Sequence, residues 1–438
     1  MTGNFSFDVS WLPQSYGPPP VSATAASLTI RVGDHVATRN DDGWSRSVED
    51  SARLALYPLA LWLADSWWRL RWESEPSHSL PGSAWRMAHE CAAAGHGFLW
   101  PNLTFASDSQ SVQIVGRPAN PLSEEPVRFL ADFAETVPAE IFERAVDDFI
   151  GLVLARLRTF GLEKSDLERL WNDVCNERRS KEIAVLRRFE ALLGFDAADA
   201  PQGLLNRMVS LLSRAGEHAA DEIAPACAGP DPGGDLSAIE EIASLPGIKG
   251  NERNAEVLRP KVLSTATPPM WRPWEQGRSI ARAVRSIEGR NGQPLNDDSL
   301  ASLLGIRAAD LQPSRSDRSA PVPGLAVRES NDGLRLHFRK RNRAALRFEA
   351  ARLLCDVLIA PASDNWLPVT DSKTSRQKTQ RAFAAEFLCP IESLDDFLSG
   401  NYSQERIEDA AERFGISPLA VSSHLANHNR ISPWANSS

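Results

Sequence analysis

A chain of 438 residues is long enough for two or three domains with separate cores, so its stability requires neither a disulfide nor a structural metal. The 48 Lys and Arg against 57 Asp and Glu leave a net charge of -9, which favours solubility and excludes a global attraction to nucleic acid or anionic membrane. Five scattered cysteines without a C-x-x-C pair argue against a disulfide framework or zinc ribbon. No basic-then-apolar leader or membrane-length apolar run is present, so a soluble, cytoplasmic protein without a membrane partner is expected.

The stretch through Gly17-Pro18-Pro19-Pro20 reads as an extended, poorly helical lead-in. Ser27 to Val32 and His35 to Arg39 then alternate as two short strands about a Gly33-Asp34 turn. Tyr57 to Trp72 carries Trp62, Trp67, Trp68 and Trp72 without one clean stripe, which predicts a helix apolar nearly all round and serving as core. Trp85 to Ala94 is a short helix with His89-Glu90. The i, i+4 histidine spacing of a zinc helix fails there, because position 93 is Ala93. Leu103 to Phe105 and Ser111 to Val115 form a hairpin expected to complete the small sheet.

From Pro138 the period changes to 3.6: Phe142, Ala145, Val146, Phe149, Ile150, Val153, Leu154 and Leu157 make one buried stripe ending near Gly161. Ser165 and Glu168 form a capping box for the next helix, and Ser180 to Leu193 continues the helical layer. The run 228–234, with two prolines and three glycines, marks a break. The expected organisation is a Trp-rich α+β domain over 1–125, a helical region over 126–227, a linker over 228–235 and a C-terminal domain over 236–438. The fold class is therefore α+β and predominantly helical.

In the last domain, Gly333 to Phe338 alternates like a strand and Arg339 to Leu346 is a basic loop. Helices follow over Arg347–Ile359, Thr379–Cys389 and Ser403–Phe414, and from Ser417-Pro418. Arg347-Phe348 with Ala351, Phe383-Ala384-Ala385 with Leu388 and Pro390, and Phe414-Gly415-Ile416-Ser417 occur in this order. Together they resemble the ImmA/IrrE family of bacterial metallopeptidase-like proteins over roughly 274–431. The resemblance implies a zincin-like fold whose helix carries H-E-x-x-H, followed by a third ligand four residues before the matched phenylalanine.

Those positions are Arg352, Leu353, Asp356 and Thr379 here. A guanidinium has no lone pair for zinc and leucine cannot carry a proton, so no catalytic residue, metal or cofactor is expected. Arg352 and Asp356 at i, i+4 are instead expected to form an ion pair across the former ligand face, flanked by Glu349. Glu349, Arg352, Asp356 and His337 are the candidate cleft for a ligand or protein partner.

The leading expectation is a catalytically inactive, regulatory or sensor protein that binds a protein partner or ligand. The resemblance adds a stress-response, toxin-antitoxin or phage-defence setting. A second reading is DNA binding: Arg339, Lys340, Arg341 and Arg343 offer phosphate contacts, and 407–425 has a helix-turn-helix pattern. Its recognition helix offers only Ser422, Ser423, His424 and Asn427. A third reading is an active metallopeptidase with an atypical site drawn from His337, Cys355, Asp356 or Cys389.

Overall fold

The structure is a computed structural model that describes residues 4–14, 17–77, 80–122, 124–265, 272–312 and 323–432. It is mixed α+β with helix predominating, and the chain packs as two compact units, 1–206 and 207–438.

In the first unit, β1 (Phe5–Trp11) runs antiparallel to β2 (Ala25–Val32), with Phe5 opposite Val32. The first part of the lead-in is thus a strand. Pro19 and Pro20 open a short helix, α1 (Pro19–Ala23), because proline's missing N–H costs nothing in a first helical turn. Gly33, at φ +58°, turns β2 into β3 (His35–Val36) as the hairpin pattern predicts. β4 (Asn40–Asp42) and β5 (Ser47–Glu49) pair as a ribbon, and β6 (Ala52–Ala55) returns to β2.

The tryptophan run forms α2 (Tyr57–Asp65) and α3 (Trp67–Trp72), interrupted at Ser66, with Trp62, Trp67 and Trp68 buried in the core. After α4 (Ser83–His89), a 3-10 turn covers Cys91–Ala94. His89 is fully buried, with Nδ1 2.8 Å from the Phe105 carbonyl and Nε2 2.9 Å from the Glu73 carboxylate, so it is a satisfied core histidine.

β7 (Leu103–Ser107) and β8 (Ser111–Gly116) do not complete the first sheet. β9 (Val127–Phe129) joins β4, while β10 (Phe133–Pro138) pairs with the free edge of β8. The result is a separate sheet in the order β10-β8-β7, with both edges of β8 occupied. The eight-residue stripe predicted from Pro138 is the buried face of α5 (Ala139–Thr159). α6 (Asp166–Arg179) is capped by Ser165, whose side chain accepts from the Glu168 N–H, and α7 (Lys181–Leu192) by Ser180.

The division between units falls inside α8 (Gln202–Ala215), and α9 (Glu217–Ile223) follows. The run 228–234 therefore lies within the second unit. Its break ends at Asp231, which caps α10 (Pro232–Ser244) by accepting from the Gly234 N–H, so Pro232 opens a helix.

β11 (Ile248–Asn251), α11 (Arg253–Thr265), α12 (Pro273–Ile287) and α13 (Asp297–Leu303) lead to β12 (Gly324–Glu329) and β13 (Gly333–His337). α14 (Arg343–Ile359) follows, with Asn342 rather than a residue near Arg347 as its cap, so part of the expected basic loop is helical. β14 (Trp366–Val369) completes an antiparallel sheet in the order β11-β13-β12-β14. α15 (Ser375–Leu388), α16 (Ile391–Leu398), α17 (Gln404–Phe414) and α18 (Pro418–Asn427) end the described fold.

Between Leu346 and Leu358 every residue of α14 except Phe348 is buried, as befits a helix with packing on all faces. The two hydrophobic cores share no residue: one draws on Phe5 to Ala191, the other on Ala255 to Leu425.

Candidate functional site

The candidate site is built on α14, which several buried polar contacts hold in place. Arg347 pairs with Asp297 and donates to the carbonyls of Leu295 at 2.6 Å and Gly415 at 3.1 Å, tying the helix to the α13 cap region and the α17–α18 turn. Glu349 turns toward the chain leading into α14. Its Oε2 accepts from the backbone N–H groups of Arg339 and Lys340, each at 3.0 Å, while its Oε1 has no hydrogen-bond partner. Burial pushes this carboxyl upward from its ordinary range.

Arg352 and Asp356 do not pair. The Arg352 guanidinium donates to the Thr370 carbonyl and to Gln377 Oε1, both at 2.6 Å. Asp356, with no exposed surface, instead accepts a two-pronged interaction from Arg376, at 2.8 and 2.7 Å, and Arg376 also reaches Asp364 at 2.7 Å. The expected i, i+4 bridge loses because both groups meet partners from the β14–α15 segment, which for Asp356 is a planar two-pronged guanidinium. Leu353 is core, and Thr379 is buried on α15.

These residues do not fit the zinc site that the resemblance implies. Arg352 has no lone pair to give, and both Asp356 oxygens are engaged by Arg376. Cys355 and Cys389 lie in the apolar core with their thiols pushed upward by burial. The ring of His337 lies against Gly247, so His337 does not join Glu349 and Arg352 at the cavity described next.

Beside α14 is a cavity of about 620 Å³ whose walls come from α12, α14, α15 and α18. Its lining includes Arg278, Lys340, Arg352, Lys378 and Arg381, and Glu349 is the one carboxylate among the described lining residues. Trp274, Phe348 and Leu419 supply apolar surface. Burial, reinforced by the charge of Arg381, lowers the Arg352 guanidinium to about 9. Burial also lowers Arg278 and Arg381. Carboxylates outside the lining, Asp371, Glu222 and Glu386, act on these guanidinium groups in the opposite direction.

The cationic run is largely engaged inside the unit. Arg339 makes a two-pronged pair with Asp371 at 2.6 and 3.0 Å, and Arg343 reaches Asp297 at 2.7 Å, while Lys340 and Arg341 are exposed. On α18, the helix that would read DNA, Ser422 and His424 are buried, which leaves Ser423 and Asn427 exposed.

One cluster was absent from the sequence reading. Glu386 of α15, His424 of α18 and His428 just beyond it bring one ligand atom each to within 4.8 Å of one another. His424 and His428 have the i, i+4 spacing that position 93 and α14 lack, and that spacing is visible in the sequence. Glu386, distant in sequence, gives no such signal. Burial alone would raise the Glu386 carboxyl, but His424 and Arg282 hold it down at about 2.

No family model matches the chain, and no curated protein or solved structure matches it. No described helix is long and apolar enough to cross a membrane.

Proposed function

We propose that the second unit is a peptidase-like scaffold that binds an anionic small ligand in the α14 cavity, as a sensor or regulator without zinc chemistry on that helix. The observation that carries this reading is the charge of the wall: five cationic side chains against Glu349, around a space of about 620 Å³. Buried Arg352 has unused donor capacity, since its Nε has no hydrogen-bond partner. An anion with two or three carboxylate or phosphate oxygens would supply the missing acceptors and offset the burial of the charged guanidinium. The apolar surface of Trp274 and Phe348 would hold an uncharged portion of the same ligand.

A stress-response, toxin-antitoxin or phage-defence setting is supported only by the ImmA/IrrE resemblance. A regulatory protein partner would act on the ligand-bound unit. DNA binding draws less support, because Arg339 and Arg343 are already paired and α18 presents no exposed cation at its reading positions.

Calorimetric and thermal-shift titration with phosphate, pyrophosphate and citrate tests the reading. A bound anion at 100 times its Kd should stabilise the protein by about 2.7 kcal/mol, and Arg352→Met should remove that shift. Absence of any shift for all three anions, or an undiminished shift in R352M, counts against the cavity. Salt-sensitive retention of duplex DNA, lost when Arg339, Lys340 and Arg341 are changed to Ala, would replace this reading with DNA binding.

A further inference from the structure

The cluster at α15 and α18 is a different chemical environment from the cavity wall. Glu386 Oε2, His424 Nε2 and His428 Nε2 are all buried, and none has a hydrogen-bond partner. The three residues also offer one ligand atom each within 4.8 Å of one another, so buried polar groups without hydrogen-bond partners gather at one place. Glu386 Oε2 and His424 Nε2 are 3.4 Å apart without hydrogen-bond alignment. Two ligands at zinc distances of about 2.0–2.2 Å in a tetrahedron stand about 3.3–3.6 Å apart, so this edge already has the required length.

We infer that Glu386, His424 and His428 form a binding site for one divalent transition-metal ion of the zinc class. Two imidazole nitrogens and one carboxylate oxygen favour zinc, cobalt or nickel over magnesium and calcium, which take all-oxygen shells. The helix geometry suits the task, because residues at i and i+4 project from one face toward one ion. Glu386 is oriented from behind: its Oε1 accepts from Arg282 at 2.7 Å, which leaves Oε2 for the metal. The rings of His424 and His428 meet edge to face with centroids 4.8 Å apart, so the two imidazoles lie side by side at the cluster.

Three protein ligands leave a fourth position for water or for another donor. His424 also lines the cavity, so the cluster adjoins the space where an anion would bind. Arg278 and Arg282 stand nearby, and their positive charge opposes the cation. The ordinary alternative is a protonated His424 paired with Glu386, which accounts for one histidine and leaves His428 Nε2 without a partner.

The test is titration of the full chain, stripped with a chelator, with Zn2+ alone in a buffer free of multivalent anions. Its result is therefore independent of the ligand proposed for the cavity. One equivalent should bind at this site, and Mg2+ should not compete. E386Q, H424A and H428A should each weaken that equivalent roughly tenfold or more, a loss that even outer-shell changes at metal sites can cause. Zinc held elsewhere would survive all three substitutions, and that result would overturn the assignment. His428 is at a half-buried helix end, so H428A serves if H424A fails to fold. Co2+ added to the unaltered protein gives a second readout. An intense tetrahedral visible band that Zn2+ removes supports the site, and a weak octahedral spectrum overturns it.

Discussion

Glu222 is buried beneath the β14–α15 segment, and its Oε2 accepts from Thr374 Oγ1 at 2.5 Å and Gln377 Nε2 at 2.9 Å. Burial raises its carboxyl from an ordinary 4.5 to about 7, against the opposing charge of Arg376. The native state therefore holds a proton that the unfolded chain has already lost over that interval. The resulting stability is complete below about pH 4.5 and is lost as pH rises through about 7. Glu222→Gln keeps the shape and an acceptor oxygen while removing the titration. In urea unfolding, the unaltered protein should lose up to about 3 kcal/mol relative to E222Q between pH 5 and pH 8. Parallel pH profiles for the two proteins would refute the assignment. This carboxyl could not be singled out from sequence, because nothing local in α9 distinguishes a buried Glu from an exposed one. The same limit explains Arg352 and Asp356. Their i, i+4 spacing was visible, but their actual partners, Gln377 and Arg376, come from a separate helix.

Helix α12 passes very close to α15, and Gly277 is what permits the approach. A Cβ at position 277 would collide with the Thr379 carbonyl and stand 2.8 Å from the Phe383 amide, both backbone groups that cannot swing aside. Gly277→Ala should therefore cost about 1–3 kcal/mol by overpacking, although alanine has the better helix propensity. Thermal unfolding that leaves the midpoint unchanged or raised would refute the close crossing. The α5 stripe was legible, as were the cap at Ser165 and the helix that opens at Ser180. Local periodicity and side-chain-to-backbone bonds decide those elements. Less was legible where pairing at long range decides the outcome. β11 and β14 are short, and β14 is buried on every residue, so neither shows alternation. The basic character of 339–346 likewise concealed that α14 starts at Arg343, because Asn342 supplies a cap that charge patterning does not reveal.

At the scale of the molecule, the two non-overlapping cores give each unit its own source of stability. Every group assigned to the cavity, the Glu222 network and the proposed metal cluster belongs to the second unit, so that unit should carry the chemistry alone. The unit boundary at Asn206 and Arg207 falls within α8, and a cut there would sever a helix that closes on Pro201 through the Leu204 and Leu205 amides. A fragment beginning at Pro201 keeps that helix whole. The 201–438 fragment should unfold in one cooperative calorimetric transition and bind the same anion and the same single zinc equivalent as the full chain, with affinities within a few-fold. A fragment that folds cooperatively but has lost both ligands would place part of the binding chemistry in the first unit. A non-cooperative fragment would show that the core from Ala255 to Leu425 depends on residues before Pro201.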